Sequence, residues 1–97
     1  MKTNYQMLST LDAVFTPMQR GVISATEFDI VKRTLYISRM DELALRNLRD
    51  FAVMYYTTKV EKLQESKQYD DAFAMLDRMS AVTSVVDSQI VKLGGEV

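Results

Sequence analysis

Apolar residues recur along most of this chain at steps of three and four, the spacing that lines one face of an α-helix. Met7, Leu8, Leu11, Val14, Phe15 and Met18 form the first such stripe, which predicts a helix from Asn4 to Thr16. Pro17 disfavours the α conformation at the residue before it, so the helix should end near Thr16, with Pro17 to Ile23 as a short link closed by Gly21. Ser24-Ala25-Thr26-Glu27 then reads as a capping box, and Ile23 and Phe28 stand at hydrophobic-staple spacing around it. The second helix therefore starts at Ser24 and runs to about Ile37, burying Phe28, Val31 and Leu35 with Ile30, Thr34 and Ile37 beside them.

Ser38 is a further cap candidate, with Asp41 in the first turn where a carboxylate suits the positive end of a helix. The third helix is predicted from Arg39 or Asp41 to about Ser66. Its stripe is Leu45, Leu48, Ala52, Tyr55, Lys59 and Leu63, widened by Leu43, Phe51, Met54 and Tyr56. At about 1.5 Å per residue it would approach 40 Å, so a bend or a protruding end is expected. Ser66 to Tyr69 is weakly helical and precedes Asp70-Asp71, which favours a turn and a new helix start. A fourth helix carries Ala72, Leu76, Met79, Thr83, Val86, Ile90 and Leu93 at a four-three spacing and ends at Gly94-Gly95. Val82, Thr83, Val85, Val86, Ile90 and Val91 are β-branched, so a strand over 82–91 competes with that helix.

The pattern thus predicts an all-α fold: one small four-helix domain over residues 1–97, with a long C-terminal αα-hairpin. With one proline and three glycines, the chain lacks the turn residues an all-β fold consumes. Hydrophobic residues at 47% and charged ones at 26% place it among chains that fold, away from disordered compositions. The longest apolar run, Phe51 to Tyr56, is far short of the roughly 20 residues a membrane span needs. After Met1 and Lys2 no apolar region of about seven residues follows, so neither a secretory signal nor a membrane partner is expected, and the cytoplasm is the default location.

Candidate chemistry is sparse. No histidine and no cysteine are present, which removes the usual proton-transfer group near neutral pH and the usual transition-metal ligands. No phosphate loop, dinucleotide fingerprint or EF-hand spacing occurs. Asp41-Glu42 and Asp70-Asp71 are adjacent pairs that diverge on a helix, and helix starts account for both. No catalytic residue, cofactor or metal follows from the sequence, and the expectation is a non-enzymatic protein.

The formal net charge of −1 lacks the broad positive field of a general nucleic-acid binder. The charges are unevenly spread: Lys32, Arg33, Arg39, Arg46 and Arg49 face only Asp41 and Glu42 within residues 32–49. Residues 61–87 hold six acidic side chains against three basic ones, an asymmetry able to orient a partner or a second copy. Tyr55-Tyr56 beside Arg46 and Arg49 has the composition of a base-stacking surface, although helical geometry puts one tyrosine in the core and one at its rim. The methionines at positions 7, 18, 40, 54, 75 and 79 read as core filling or as an adaptable groove.

The run Lys67-Gln-Tyr-Asp-Asp-Ala-Phe-Ala-Met-Leu-Asp-Arg-Met resembles the second helix of a tetratricopeptide repeat, with Tyr69, Ala72, Leu76 and Met79 at the family's packing positions. The resemblance covers about a quarter of the chain, and it implies a helical hairpin and nothing about a ligand. The family's glycine is replaced by Lys67, its closing proline is missing and no second copy exists, so no repeat solenoid or peptide groove follows. In size and lack of motifs the chain is also similar to the accessory proteins with which phages and mobile elements act on host machinery.

Three functions compete on these grounds. The first is a protein–protein interaction module, an adaptor or inhibitor that occludes or bridges a larger protein. Its contact residues would be Arg39, Arg46, Arg49 and Tyr56 on one side, and Leu76, Met79, Val86, Ile90 and Leu93 on the fourth helix. The second is a nucleic-acid-binding regulator with a helix-turn-helix-like unit in residues 24–66. The third is a self-assembling structural protein, a homodimer whose seam is the fourth helix.

Overall fold

The helices form in the predicted order: α1 (Asn4–Val14), α2 (Ala25–Leu35), a 3-10 turn at Ile37–Arg39, α3 (Glu42–Glu65) and α4 (Tyr69–Lys92). The computed structural model describes residues 3–14 and 24–96, so the expected roles of Phe15, Pro17, Met18, Gly21 and Ile23 lie outside the described residues. Among the described residues there is no strand, and the fold is all-α with a long C-terminal hairpin.

Local chemistry explains each start. The Ser24 hydroxyl accepts from the Glu27 amide at 3.2 Å, which caps α2. The Glu27 carboxylate closes the box differently from expectation, by accepting from the Ser24 hydroxyl at 3.1 Å. At the start of α3 the cap is Asp41 rather than Ser38, and the Asp41 carboxylate accepts from the Ala44 amide at 2.8 Å. Ser38 is unavailable because the 3-10 turn occupies Ile37–Arg39.

The ends depend on left-handed residues. α2 stops at Leu35, about two residues before the predicted end, because Tyr36 turns left-handed with φ 52° and ψ 36°. The hairpin turn uses Lys67, with φ 60°, at the position where a glycine is usual. The Gln68 N–H donates to the Leu63 carbonyl at 2.8 Å and the Lys67 N–H to that of Gln64 at 3.0 Å, the two bonds of a Schellman motif. The same motif ends α4 at Gly94 (φ 88°), where the Gly95 N–H donates to the Ile90 carbonyl at 2.9 Å. A Cβ at position 95 would collide with the Glu42 carboxylate and the Ile90 side chain, so the end of α4 sits tightly against the start of α3.

α3 and α4 run antiparallel, since Arg49 meets Asp87 and Thr57 meets Met79 across the pair. At about 1.5 Å per residue each 24-residue helix is about 36 Å long, which sets the 41 Å long dimension of the molecule. The shorter α1 and α2 pack against each other, α1 also on α3 and α2 also on α4. Leu8, Leu11, Val31, Leu35, Leu45, Leu48 and Ala52 close the core with Val82, Val85, Val86 and Ile90. Residues 82–91 are therefore helical. Each β-branched side chain costs a helix a few tenths of a kcal/mol, whereas burying a valine or isoleucine stabilises by about 1.5–3 kcal/mol. No helix among the described residues is long and apolar enough to cross a membrane.

Candidate functional site

The contact residues expected from sequence fall into three groups. Tyr56, Val86 and Ile90 are fully enclosed at 0% exposure, so the chain's own core takes up the side chains assigned to a partner. The inward face of α4 is rotated from the predicted seam: Ala74, Arg78, Val82 and Val85 enter the core, while Leu76 and Leu93 are 37% and 49% exposed. Met79 is half-buried and accepts a long contact from the Thr57 hydroxyl at 3.9 Å. Arg46 and Arg49 are structural ties. Arg46 Nη2 donates to Glu42 Oε1 at 3.0 Å and to the Glu96 carbonyl at 2.6 Å, and Arg49 Nε donates to Asp87 Oδ1 at 2.6 Å. Arg39 alone of the three arginines is exposed with no ion pair among the described residues.

A polar cluster inside the molecule was not foreseen. The Asp12 carboxylate of α1 accepts from Lys59 Nζ at 2.7 Å and from the Tyr55 hydroxyl at 3.1 Å. Arg78 of α4, 5% exposed, brings Nη1 to 3.5 Å from the same carboxylate, an ion-pair contact longer than a good hydrogen bond. The Tyr56 hydroxyl is buried with no partner in good hydrogen-bond geometry among the described residues, although the Asp12 carboxylate is close enough to act on it. Burial, reinforced by the Asp12 charge, pushes the Tyr56 phenol well above its ordinary range and raises Tyr55 as well. For Lys59 burial acts downward, but its hydrogen bonds to Asp12 and Tyr55 and the Asp12 charge outweigh it, and the ammonium is held above its usual value. All three shifts lead away from neutral pH. What the geometry shows is a tie, because the Asp12 carboxylate of α1 meets side chains of both α3 and α4.

The exposed feature with a definite chemistry lies where the C-terminal ends of α2 and α4 approach each other. A groove of about 660 Å³ is lined there by Lys32 and Arg33 from the last turn of α2, by Tyr36, by Arg39 of the 3-10 turn and by Lys92 of α4. Among the described residues none of these four cations has an ion pair and no carboxylate lines the groove. Lys32 Nζ rests 4.9 Å from the centre of the Phe28 ring, which keeps its charge at the surface. Helix C-termini attract cations, and all four stand in last turns, Lys32 and Arg33 of α2, Arg39 of the 3-10 turn and Lys92 of α4. The fold brings those three ends to one groove.

Tyr36 stands in the wall of this groove, 45% exposed, at a backbone position that costs any residue with a Cβ about 1 kcal/mol or more. A second cavity, of about 600 Å³, adjoins on the other side of the same residues. Tyr36 and Arg39 line both, and Met7, Met40 and Ala44 supply its apolar surface. Sequence reasoning singled out Lys32, Arg33 and Arg39 as part of a basic run but missed Lys92 and Tyr36. Lys92 is distant in sequence, and a left-handed tyrosine leaves no compositional mark. Comparison with protein families, with characterised proteins and with solved structures returned no match for this chain.

Proposed function

We propose that this chain is a non-enzymatic protein–protein interaction module, an adaptor or inhibitor that docks on an acidic stretch of a larger protein through the groove between α2, the 3-10 turn and α4. The observation that carries the reading is the partition of the charges. Arg46, Arg49, Lys59 and Arg78 are engaged within the chain, whereas Lys32, Arg33, Arg39 and Lys92 surround one groove with no carboxylate among the described residues to offset them. Four like charges held together raise the energy of the unliganded surface, and an anionic partner relieves that repulsion while gaining long-range steering. Occlusion or bridging needs no reacting group. The one polar cluster near the core supports this, because its lysine and tyrosines are fixed in their neutral-pH protonation states.

A nucleic-acid ligand offers the same negative charge, and of the five basic residues a DNA-binding unit in residues 24–66 would use, Arg46 and Arg49 are tied to carboxylates while Lys32, Arg33 and Arg39 line the groove. The test compares a fluorescent 12-residue peptide of alternating Glu and Ser with a 12-base-pair duplex, each titrated with the full chain at several salt concentrations. The peptide should bind, and Lys32→Glu with Arg39→Glu should abolish binding. Duplex binding stronger than peptide binding, with the steep salt dependence of released counterions, would transfer the groove to nucleic acid.

A further inference from the structure

We infer that the segment recognised is bipartite: acidic residues lie along the basic groove, and one apolar side chain a few residues away enters the neighbouring cavity lined by Met7, Met40 and Ala44. The inference rests on the proposed docking function and adds the specificity that charge alone cannot supply. A purely electrostatic groove would accept any acidic surface, since charge complementarity governs steering more than selectivity among anions.

The second cavity has the build of an anchor site. Its volume of about 600 Å³ lies in the range of small-ligand pockets, and its apolar surface comes from two methionines and an alanine. Met7 is almost fully buried and forms a floor, while Met40 is half-buried and belongs to the 3-10 end that can adapt its side chain to an incoming group. Among the described residues the only carboxylate at its edge, Asp41, is occupied as the cap of α3 through its bond to the Ala44 amide. An apolar side chain entering there therefore displaces water from methionine surface and strips no charge of its partner.

Tyr36 and Arg39 make the two compartments a single surface, because both residues line both cavities. Arg39 is placed to hold a carboxylate bidentately at the boundary. The left-handed backbone at Tyr36 sets its half-exposed ring between the compartments, where glycine or asparagine would satisfy the turn at lower cost but would leave no dividing wall. An occupant must therefore present its acidic and apolar groups in adjacent positions of one segment. A dispersed negative patch on a flat surface does not meet that condition.

The experiment selects a displayed library of random 12-residue peptides on the full chain at moderate salt, and repeats the selection on two variants. Asn47→Tyr puts a bulky ring at the rim of the apolar cavity from an exposed helical position, so folding is unaffected; Arg39→Glu reverses the charge at the boundary. The expected result is enrichment of Asp and Glu on one side of a single Leu, Ile, Met or Phe. On Asn47→Tyr the acidic bias should persist, the apolar preference should vanish, and an enriched peptide should bind about fivefold more weakly. Acidic peptides without any apolar preference overturn the bipartite inference and leave the docking function standing. Enrichment lacking acidic residues, or enrichment untouched by Arg39→Glu, overturns both.

Discussion

Replacing Asp12 with alanine tests what holds α1 to the rest of the molecule. Asp12 reaches both members of the hairpin, through Lys59 and Tyr55 of α3 and Arg78 of α4. The Lys59 side chain is 40% exposed, so its pairing at 2.7 Å is screened and contributes about 0.5 kcal/mol. The Tyr55 hydroxyl bond at 3.1 Å adds about 1 kcal/mol. Arg78 has a side chain 6% exposed, and loss of the carboxylate beside it costs about 1–2 kcal/mol, limited by the 3.5 Å separation. Alanine returns about 0.5 kcal/mol through its better helix propensity. The net loss is about 2–3 kcal/mol, which for a domain of this size lowers Tm by roughly 10–20 °C. Urea denaturation followed by circular dichroism measures the loss. Hydrogen exchange locates it, with the amides of Met7 to Leu11 losing protection before those of α3. A loss below about 1 kcal/mol, or uniform loss of protection, would show that the apolar contacts of Met7, Leu8 and Leu11 hold α1 without the carboxylate.

Four further outcomes follow. Tyr56→Phe removes a buried hydroxyl that has no well-formed hydrogen bond among the described residues, so stability should stay level or rise by up to about 1 kcal/mol; a loss above about 1 kcal/mol in a urea melt would show that its contact with Asp12 is a stabilising bond. Burial holds the Tyr56 and Tyr55 phenols above the ordinary value of 10.0, and Lys59, despite its burial, is held above 10.5 by Asp12 and Tyr55. The stability these raised groups contribute is intact below about pH 10 and lost as pH climbs further, so Tm should fall above pH 10, and less steeply in Tyr56→Phe; an unchanged slope in that variant refutes the assignment. Lys67→Gly should stabilise by about 0.5–1 kcal/mol, because an exposed left-handed lysine leaves a strained backbone and buries nothing, and an unchanged melting midpoint counts against this. Leu76→Ser should change stability by less than about 0.5 kcal/mol, and Val85→Ser should cost 2 kcal/mol or more; comparable losses would restore the seam that places Leu76 inward.

Element type was legible because it depends on periodicity, and periodicity survives in a single sequence. The cap at Ser24 and the stop at Gly94-Gly95 were equally readable, since both rest on backbone bonds made within four or five residues. The rotation of α4 was not. Its heptad spacing assigned Leu76 and Leu93 to the buried side, yet Ala74, Arg78, Val82 and Val85 belong there as well. A broad inward face on a helix packed by three others contains several overlapping four-three series, and the spacing alone does not choose among them. Arg78 made the error harder to see, because a buried arginine is intelligible only once Asp12, sixty-six residues away, is beside it.

The same limit governs the functional surface. Within residues 32–49 five basic side chains look alike in sequence, but folding gives Arg46 and Arg49 to carboxylates on the hairpin and leaves Arg39, with Lys32 and Arg33, beside Lys92. A paired arginine on a helix–helix seam and an uncompensated one on a groove differ only in what the tertiary structure brings within about 4 Å. Charge counting therefore finds a region and not a site. One part of that region is set apart by the departure from local preference at Tyr36. A tyrosine in a left-handed position is disfavoured by the backbone, as Lys67 is at the hairpin turn, and the fold as a whole carries that cost at both. The Tyr36 ring is half exposed between two cavities, and on the docking function proposed above an occupant of both gives that ring contacts it lacks in the isolated chain.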